Sequence, residues 1–314
     1  MKQYFSFQWH ITDECDQRCK HCYIFSENCN KKLDAMSWQQ MQDTFYNCLD
    51  FCQVYDRLSY FYITGGDPIL HPDFWKLLGL MKQHSVPFAI LGNPFHLTDE
   101  ICRKLKEYGC EKYQLSIDGL RETHDWFRKP GSFDITLEKI GCINRAGIRS
   151  VVMTTVSGAN IDEVPGIIDA VVAAGVNVFA FARYCPTSEE KDVGIEPLRY
   201  RKLLSDCDRK FMEYEAAGCQ TYFNKKDHLW TLYTVGPIIS GRVTKEDKEL
   251  LASCLELAAE NKLESVAFCC ISTGEFHFPN DLAAEIAVAI VKEFLEKQTS
   301  VKKVIFNVFK DLDK

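Results

Sequence analysis

Short β-rich runs alternate with stretches of helical period from residue 4 to residue 183, and this alternation constrains the fold more than anything else in the chain. The strand-like runs cover residues 4–11, 58–64, 86–91, 113–117, 151–156 and 176–182. Between the first two, Ser37 with Gln40 three residues later makes a capping-box start. Met41, Phe45, Cys48, Leu49 and Cys52 then recur at helical spacing and mark a buried face. Further helices are predicted at 72–83, 98–108, 132–146 and 161–174, the last three stopped by Gly109, Gly147 and Gly175. Strands alternating with helices imply βαβ units and a parallel sheet, joined by right-handed crossovers. Six units are too few to close an eight-stranded barrel, so the expected class is α/β, a partial six-stranded (β/α) barrel.

In such sheets the functional groups collect at the carboxyl ends of the strands. Five sequence features fall there: a cysteine loop after the first strand, Gly65-Gly66-Asp67-Pro68, Gly92-Asn93, Asp118-Gly119, and Arg183. The loop reads Cys15-Asp16-Gln17-Arg18-Cys19-Lys20-His21-Cys22, a C-x3-C-x2-C spacing. Three thiolates on one loop can hold three irons of a cubic iron–sulfur cluster and leave the fourth open to a small molecule. The other readings are a zinc knuckle and three unrelated core thiols. Zinc takes four ligands, commonly from paired C-x2-C units, and this sequence has one such unit. His21 could be the fourth ligand, but it is squeezed between two of the cysteines.

At 314 residues with 46% hydrophobic and 26% charged residues, the chain has the balance of a globular protein with a large core. A formal net charge of −7 argues against a general nucleic-acid or anionic-membrane binder. The opening MKQYFSFQWHIT has no apolar signal core, and no apolar run is long enough to span a bilayer. Fifteen cysteines without an export signal point to a reducing, cytoplasmic compartment, with metal binding or core packing in place of disulfides.

The cysteine loop after the first strand, Gly65-Gly66-Asp67 after the second and the six-unit order together resemble the radical S-adenosylmethionine (SAM) superfamily over about residues 4–219. The resemblance implies a 4Fe-4S cluster on Cys15, Cys19 and Cys22, with the amino and carboxylate groups of SAM on the open iron. One electron then cleaves a carbon–sulfur bond of SAM, and the 5′-deoxyadenosyl radical abstracts a substrate hydrogen. Gly65, Gly66 and Asp67 match the family's Gly-Gly-Glu, which holds the methionyl amino group; Asp for Glu is a departure. Ser116 and Asp118 match positions that contact the ribose. Arg128 and Arg183 could pair with the SAM carboxylate or form rim salt bridges. His21 and Tyr23 flank the last ligand, where the family sets an aromatic group against adenine, and Asn93 and Thr155 are candidates for lining the cavity.

The wording Gln-Trp-His-Ile-Thr before the loop, Ser-Ile-Asp-Gly at 116–119 and His-Asp-x-x-Arg-x-x-Gly-Ser-Phe at 124–133 is most similar to SPASM-type maturases of ribosomally made peptides, in particular the group paired with short Cys-containing repeat peptides. That implies a peptide substrate, an electron donor such as flavodoxin or ferredoxin, and a cysteine-rich extension for auxiliary clusters. After Cys219 only Cys254, Cys269 and Cys270 remain, and core packing suits all three. Without the extension, the chain could instead bind SAM and a cluster but turn over no peptide.

A charged helix is predicted at 197–217, an irregular aromatic stretch at 218–233, a helix at 244–261, a strand at 265–271, a helix at 280–296 and a strand at 301–309. Tyr-Thr-Val-Gly-Pro-Ile-Ile-Ser-Gly at 233–241, Leu-Leu-Ala-Ser-Cys at 250–254, Cys-Ile-Ser-Thr-Gly-Glu-Phe-His-Phe-Pro at 270–279 and Val-Ile-Phe-Asn-Val-Phe at 304–309 resemble the C-terminal half of a macrodomain, a module that binds ADP-ribose. Ser272, Thr273, Gly274, Glu275 and Phe276 would cradle the diphosphate with backbone N–H groups, and Asn307 and Phe309 would face the adenosine. The half that should come first is absent. The chain therefore reads as a chimera of a radical SAM core (1–195), a helix and irregular linker (196–232) and a macrodomain-like fragment (233–314), with ADP-ribose binding as the alternative function.

Overall fold

A computed structural model of the chain describes residues 2–22, 24–25, 34–184, 195–224, 245–269, 280–297 and 299–307. Seven strands form one sheet: β1 (Tyr4–Thr12), β2 (Leu58–Gly65), β3 (Phe88–Leu91), β4 (Cys110–Ser116), β5 (Arg149–Val156), β6 (Val178–Arg183) and β7 (Tyr222–Phe223). They lie side by side in chain order, and every neighbouring pair is parallel. The helices are α1 (Trp38–Val54), α2 (Phe74–Gln83), α3 (Asp99–Glu107), α4 (Arg121–Phe127), α5 (Ser132–Arg145), α6 (Val164–Ala173) and α7 (Pro197–Ala216).

Strand alternation explains the core. Phe61, Ile63, Phe88, Ile90, Tyr113, Leu115, Val152, Phe179 and Phe181 point to one face and are buried, and with Met41, Phe45, Leu77, Leu105, Ile140 and Ile168 of the helices they make up the apolar interior. Each such side chain contributes about 1.5–3 kcal/mol when fully buried. Alternate positions such as Gln8, Tyr62, Gln114, Ser116, Met153 and Thr155 are exposed or half-buried and give the sheet its second, more polar face. Ser37 caps α1 as a full capping box: it accepts the Gln40 N–H, and the Gln40 side chain accepts the Ser37 N–H. Ser37→Ala is expected to cost about 1 kcal/mol of stability, measured by chemical denaturation.

Two elements escaped the sequence reading. β7 is only two residues long, too short to show alternation, yet it extends the sheet beyond the six expected strands. α4 is a two-turn helix that runs into the His-Asp-Trp-Phe-Arg motif at 124–128, and its polar side chains mask the helical period. Residues 1–183 with 205–224 make one compact unit, and 184–204 with 225–314 make another. In the second unit, α8 (Lys245–Glu260), β8 (Ser265–Cys269), α9 (Asn280–Leu295) and β9 (Lys303–Asn307) pack around Leu255, Ala258, Val291, Phe294 and Val301, with β8 and β9 parallel. Among the described residues, no helix is long and apolar enough to cross a membrane.

Candidate active site

The cysteine loop is seated on the end of β2 by glycine. Gly66 N–H donates to Thr12 O at 2.7 Å and Asp67 N–H to Glu14 O at 2.7 Å. Gly65 takes φ +139°, a conformation that side chains disfavour. A Cβ on Gly66 would stand 2.1 Å from Glu14 O. The close approach that these glycines permit is thus to the chain's own loop.

Cys15, Cys19 and Cys22 are half-buried free thiols that follow this anchor. Burial pushes the Cys19 thiol up to about 11 against the pull of Arg128, so iron would have to displace its proton. Nitrogen donors surround the sulfurs. The Gln17 N–H lies 3.4 Å from Cys15 Sγ, Asn93 Nδ2 lies 3.8 Å from Cys15 Sγ, and Arg128 Nη1 lies 3.7 Å from Cys19 Sγ. The loop's far side is held by Lys20 N–H donating to Phe127 O at 2.9 Å.

Beside Cys15 lies an acidic pocket. Ligand atoms of Asp16, Asp67 and His96 all come within 4.8 Å of one another. Asp67 is fully buried; the backbone N–H groups of Ile69 and Asn93 face its carboxylate, but among the described residues none closes a hydrogen bond of good geometry on either oxygen. Burial first, and the Asp16 charge second, raise its pKa to about 7; backbone N–H groups of Ile69 and Asn93 offset only part of this. Asn93 Nδ2 holds Asp16 Oδ1 at 2.6 Å, and Tyr113 Oη donates to Asn93 O at 3.1 Å.

Asp118 is the hub of a second network, above β4 and β5. Arg128 Nε and Nη2 both donate to its Oδ2 at 2.6 Å, His21 Nε2 stands 3.4 Å from the same oxygen, and the Thr155 N–H donates to Oδ1 at 2.8 Å. Burial alone would raise the Asp118 pKa; the Arg128 guanidinium, then His21 and the Thr155 N–H, overcome it and hold the carboxyl below the usual range. The Asp118 N–H donates to His124 Nδ1 at 3.1 Å, and His124 Nε2 meets Ser132 Oγ at 3.1 Å. Burial, then the Arg128 charge, lowers His124 to about 4, so at neutral pH it is an uncharged link. Gln17 Nε2 donates to Ser132 Oγ at 3.2 Å, which carries the network back into the cysteine loop.

The structure therefore brings most of the predicted residues to one rim. Ser116 ends β4 on the polar face, in register with Met153, and Arg183 ends β6. Of the two readings for Arg128, the geometry has the salt bridge, to Asp118. The oxygens of Asp118 are engaged by the chain itself, and His21 turns its ring edge to Phe127 with centroids 5.2 Å apart. Tyr23, Cys270, the Ser272, Thr273, Gly274, Glu275 and Phe276 loop, and Phe309 lie outside the described residues. Asn307 ends β9, and Cys254 is half-buried on α8. Asp16, Gln17, His96, His124 and Ser132 were not singled out from sequence. The His124–Phe133 motif was the available signal for the last two, since each of its polar residues has a task. Asp125, for one, accepts the N–H groups of Gly131 and Phe133 at the start of α5.

An open parallel β/α sheet with three free thiols on the loop after its first strand is an arrangement that could hold an iron–sulfur cluster by three of its irons. The chain belongs to the radical SAM superfamily, whose family model matches residues 9–171. A second model, that of the macro domain, matches residues 215–287. The chain is 30% identical over 162 residues to mycofactocin maturase MftC of Mycobacterium tuberculosis, covering 49% of this chain and 39% of that one. It is 57% identical over 88 residues to a protein-ADP-ribose hydrolase of Treponema medium, covering 27% of this chain and 34% of that one. It thus spans about a third of the length of these curated relatives. Among solved structures it is similar to native anSMEcpe with bound AdoMet and Cp18Cys peptide, with a TM-score of 0.61 at 17% identity, covering 75% of this chain and 67% of that one.

Radical SAM proteins are enzymes, and the cofactors here are the family's 4Fe-4S cluster and SAM. The residues fit both groups. Three thiols on one loop, two of them with nitrogen donors beside the sulfur, suit an iron–sulfur cluster. The orphaned, fully buried carboxylate of Asp67 suits an ammonium such as the amino group of SAM.

Proposed function

We propose that this chain reductively cleaves SAM at a cluster held by Cys15, Cys19 and Cys22 and thereby starts radical modification of a substrate peptide. The observation that carries the reading is the Asp67 carboxylate beside Cys15: a fully buried acid with no well-formed hydrogen bond is costly unless a cation completes it. When bound, cluster and cofactor supply one-electron cleavage of a carbon–sulfur bond and abstraction of a substrate hydrogen.

The chain's own residues do the rest. Asp67, with Asp16 beside it, receives the amino group. Gly65 and Gly66 hold the loop on the sheet, so that Asp67 and Cys15 stay side by side. Ser116 and Arg183 end β4 and β6, and Thr155 stands one residue before the end of β5, on the rim where the sugar and the carboxylate of the cofactor would be met. The peptide substrate is supported by the maturase MftC and by the peptide seated in anSMEcpe. The electron comes from a low-potential carrier of the flavodoxin or ferredoxin class.

Anaerobic reconstitution with iron and sulfide should give about four irons per chain. Added SAM and dithionite should then yield 5′-deoxyadenosine. Cys19→Ala should abolish that product, because one of the three ligands is gone; undiminished product from the variant would refute the assignment.

A further inference from the structure

We infer that Arg128 is a positioning residue for electron transfer: its guanidinium, locked in place by Asp118, donates to the Cys19 sulfur and raises the reduction potential of the bound cluster. This rests on the reading of Cys15, Cys19 and Cys22 as cluster ligands.

Arg128 uses its donors on two targets. Nε and Nη2 are spent on Asp118 Oδ2, both at 2.6 Å. Nη1 is left facing Cys19 Sγ at 3.7 Å, within reach of a weak N–H···S hydrogen bond. The side chain is only 14% exposed, so its charge is poorly screened at the sulfur. Hydrogen bonds and positive charge next to a cluster sulfur favour the state that carries one more electron, and the surrounding shell is a recognised lever on cluster potential.

The Asp118 carboxylate opposes this, and the balance matters. Arg128 Nη1 faces the Cys19 sulfur at 3.7 Å, whereas Asp118 is held on the Nε and Nη2 edge of the guanidinium. The pair therefore acts on Cys19 as an oriented dipole with its positive end toward the sulfur. Its orientation is fixed from three sides. The Thr155 N–H holds Asp118 Oδ1 at 2.8 Å, Asn160 Nδ2 holds the Asp118 carbonyl at 2.8 Å, and the Asp118 N–H is tied to His124 at 3.1 Å. The Arg128 N–H donates to His124 O at 2.9 Å, so the guanidinium and its anchor share one support. The step concerned is the arrival of one electron from the low-potential carrier. No bond forms or breaks and no proton moves at Arg128.

The test is the cluster's midpoint potential, read by redox titration with electron paramagnetic resonance detection. Removing Arg128 alone would strand Asp118 as a lone buried charge and endanger folding. The variants are therefore Arg128→Lys, which keeps the charge but cannot span both targets, and Arg128→Gln combined with Asp118→Asn, which removes both charges together. The double variant should lower the reduced-to-oxidised ratio at a fixed solution potential at least tenfold, a shift of about 59 mV for one electron. Arg128→Lys should fall between it and the parent. Loaded variants with the parental potential would overturn the inference. If neither variant holds iron, the parent labelled with nitrogen-15 arginine is examined by pulsed paramagnetic resonance. A guanidinium coupling to the reduced cluster supports the inference, and its absence overturns it. A parent that takes up no iron at all would refute the cluster reading itself.

Discussion

Asp67→Asn is expected to make the cofactor-free protein more stable at pH 8 while weakening SAM binding by about 10–100-fold, the worth of one charge-assisted hydrogen bond. Opposite signs in the two measurements would mark a site held under strain for its ligand. The sign of the stability change follows from the raised pKa. Burial and the nearby Asp16 lift the Asp67 carboxyl from 3.8 to about 7 in the folded chain. Below pH 3.8 it is protonated whether folded or unfolded, and its burial carries no charge penalty. Between the two values the folded chain retains a proton that the unfolded chain has lost, so stability declines as pH rises and the loss is complete above 7. A shift of this size corresponds to on the order of 4 kcal/mol. Asparagine has no such titration. The melting-temperature difference between variant and parent should therefore be small near pH 4 and positive at pH 8. Seating an ammonium requires the ionised carboxylate, so SAM affinity of the parent should fall as pH drops below 7, by up to about tenfold per unit. Scanning calorimetry and isothermal titration at several pH values read both effects. A variant that is less stable at pH 8 and binds SAM as the parent does would remove Asp67 from the site.

Gly66→Ala is expected to empty the cluster site while leaving most of the helical content intact. A Cβ there would lie 2.1 Å from Glu14 O, 2.5 Å from Glu14 C and 2.7 Å from Asp13 O. All three are backbone atoms, so no side chain can swing aside and the loop itself must move. The bonds from Gly66 N–H to Thr12 O and from Asp67 N–H to Glu14 O would be lost with it, at about 0.5–1.5 kcal/mol each. Iron per chain after reconstitution should fall to less than about a tenth of the parental value, as the ligands of a chelating site act together. Gly79→Ala is the control. In α2 the added Cβ would meet only Tyr108 Cε1 at 3.9 Å, an ordinary contact, and alanine is the better helix former by about 1 kcal/mol. Full iron loading of the Gly66→Ala protein would show that the loop does not depend on this crossing.

The strand–helix alternation, the cysteine spacing and the family were legible in the sequence because they are local. A strand shows its period over five or six residues, and three cysteines on one loop are close whatever the fold does. The same locality explains the errors. β7 has two residues and no period to show, and it is a strand only because β6 offers it a ready edge. Gly65 and Gly66 were legible as a turn that permits close approach; that the approaching backbone is the loop's own required the register of β1 against β2.

Residue types at the rim were likewise set by the sequence, but their partners were not. Arg128 could be read as a candidate for the cofactor carboxylate or for a salt bridge, and only the tertiary structure shows it beside Asp118. Asp67 could be matched to a motif, but its significance lies in a negative fact of the packed structure. No well-formed hydrogen bond reaches its oxygens among the described residues, and Asp16, fifty-one positions earlier, stands close enough to raise its pKa. By itself the sequence determined the first six strands of the sheet and where the thiols cluster, because short-range periodicity and chain connectivity dictate both. Tertiary structure alone decided which buried charges are satisfied and which wait for a ligand, because desolvation and pairing depend on neighbours brought together from distant parts of the chain.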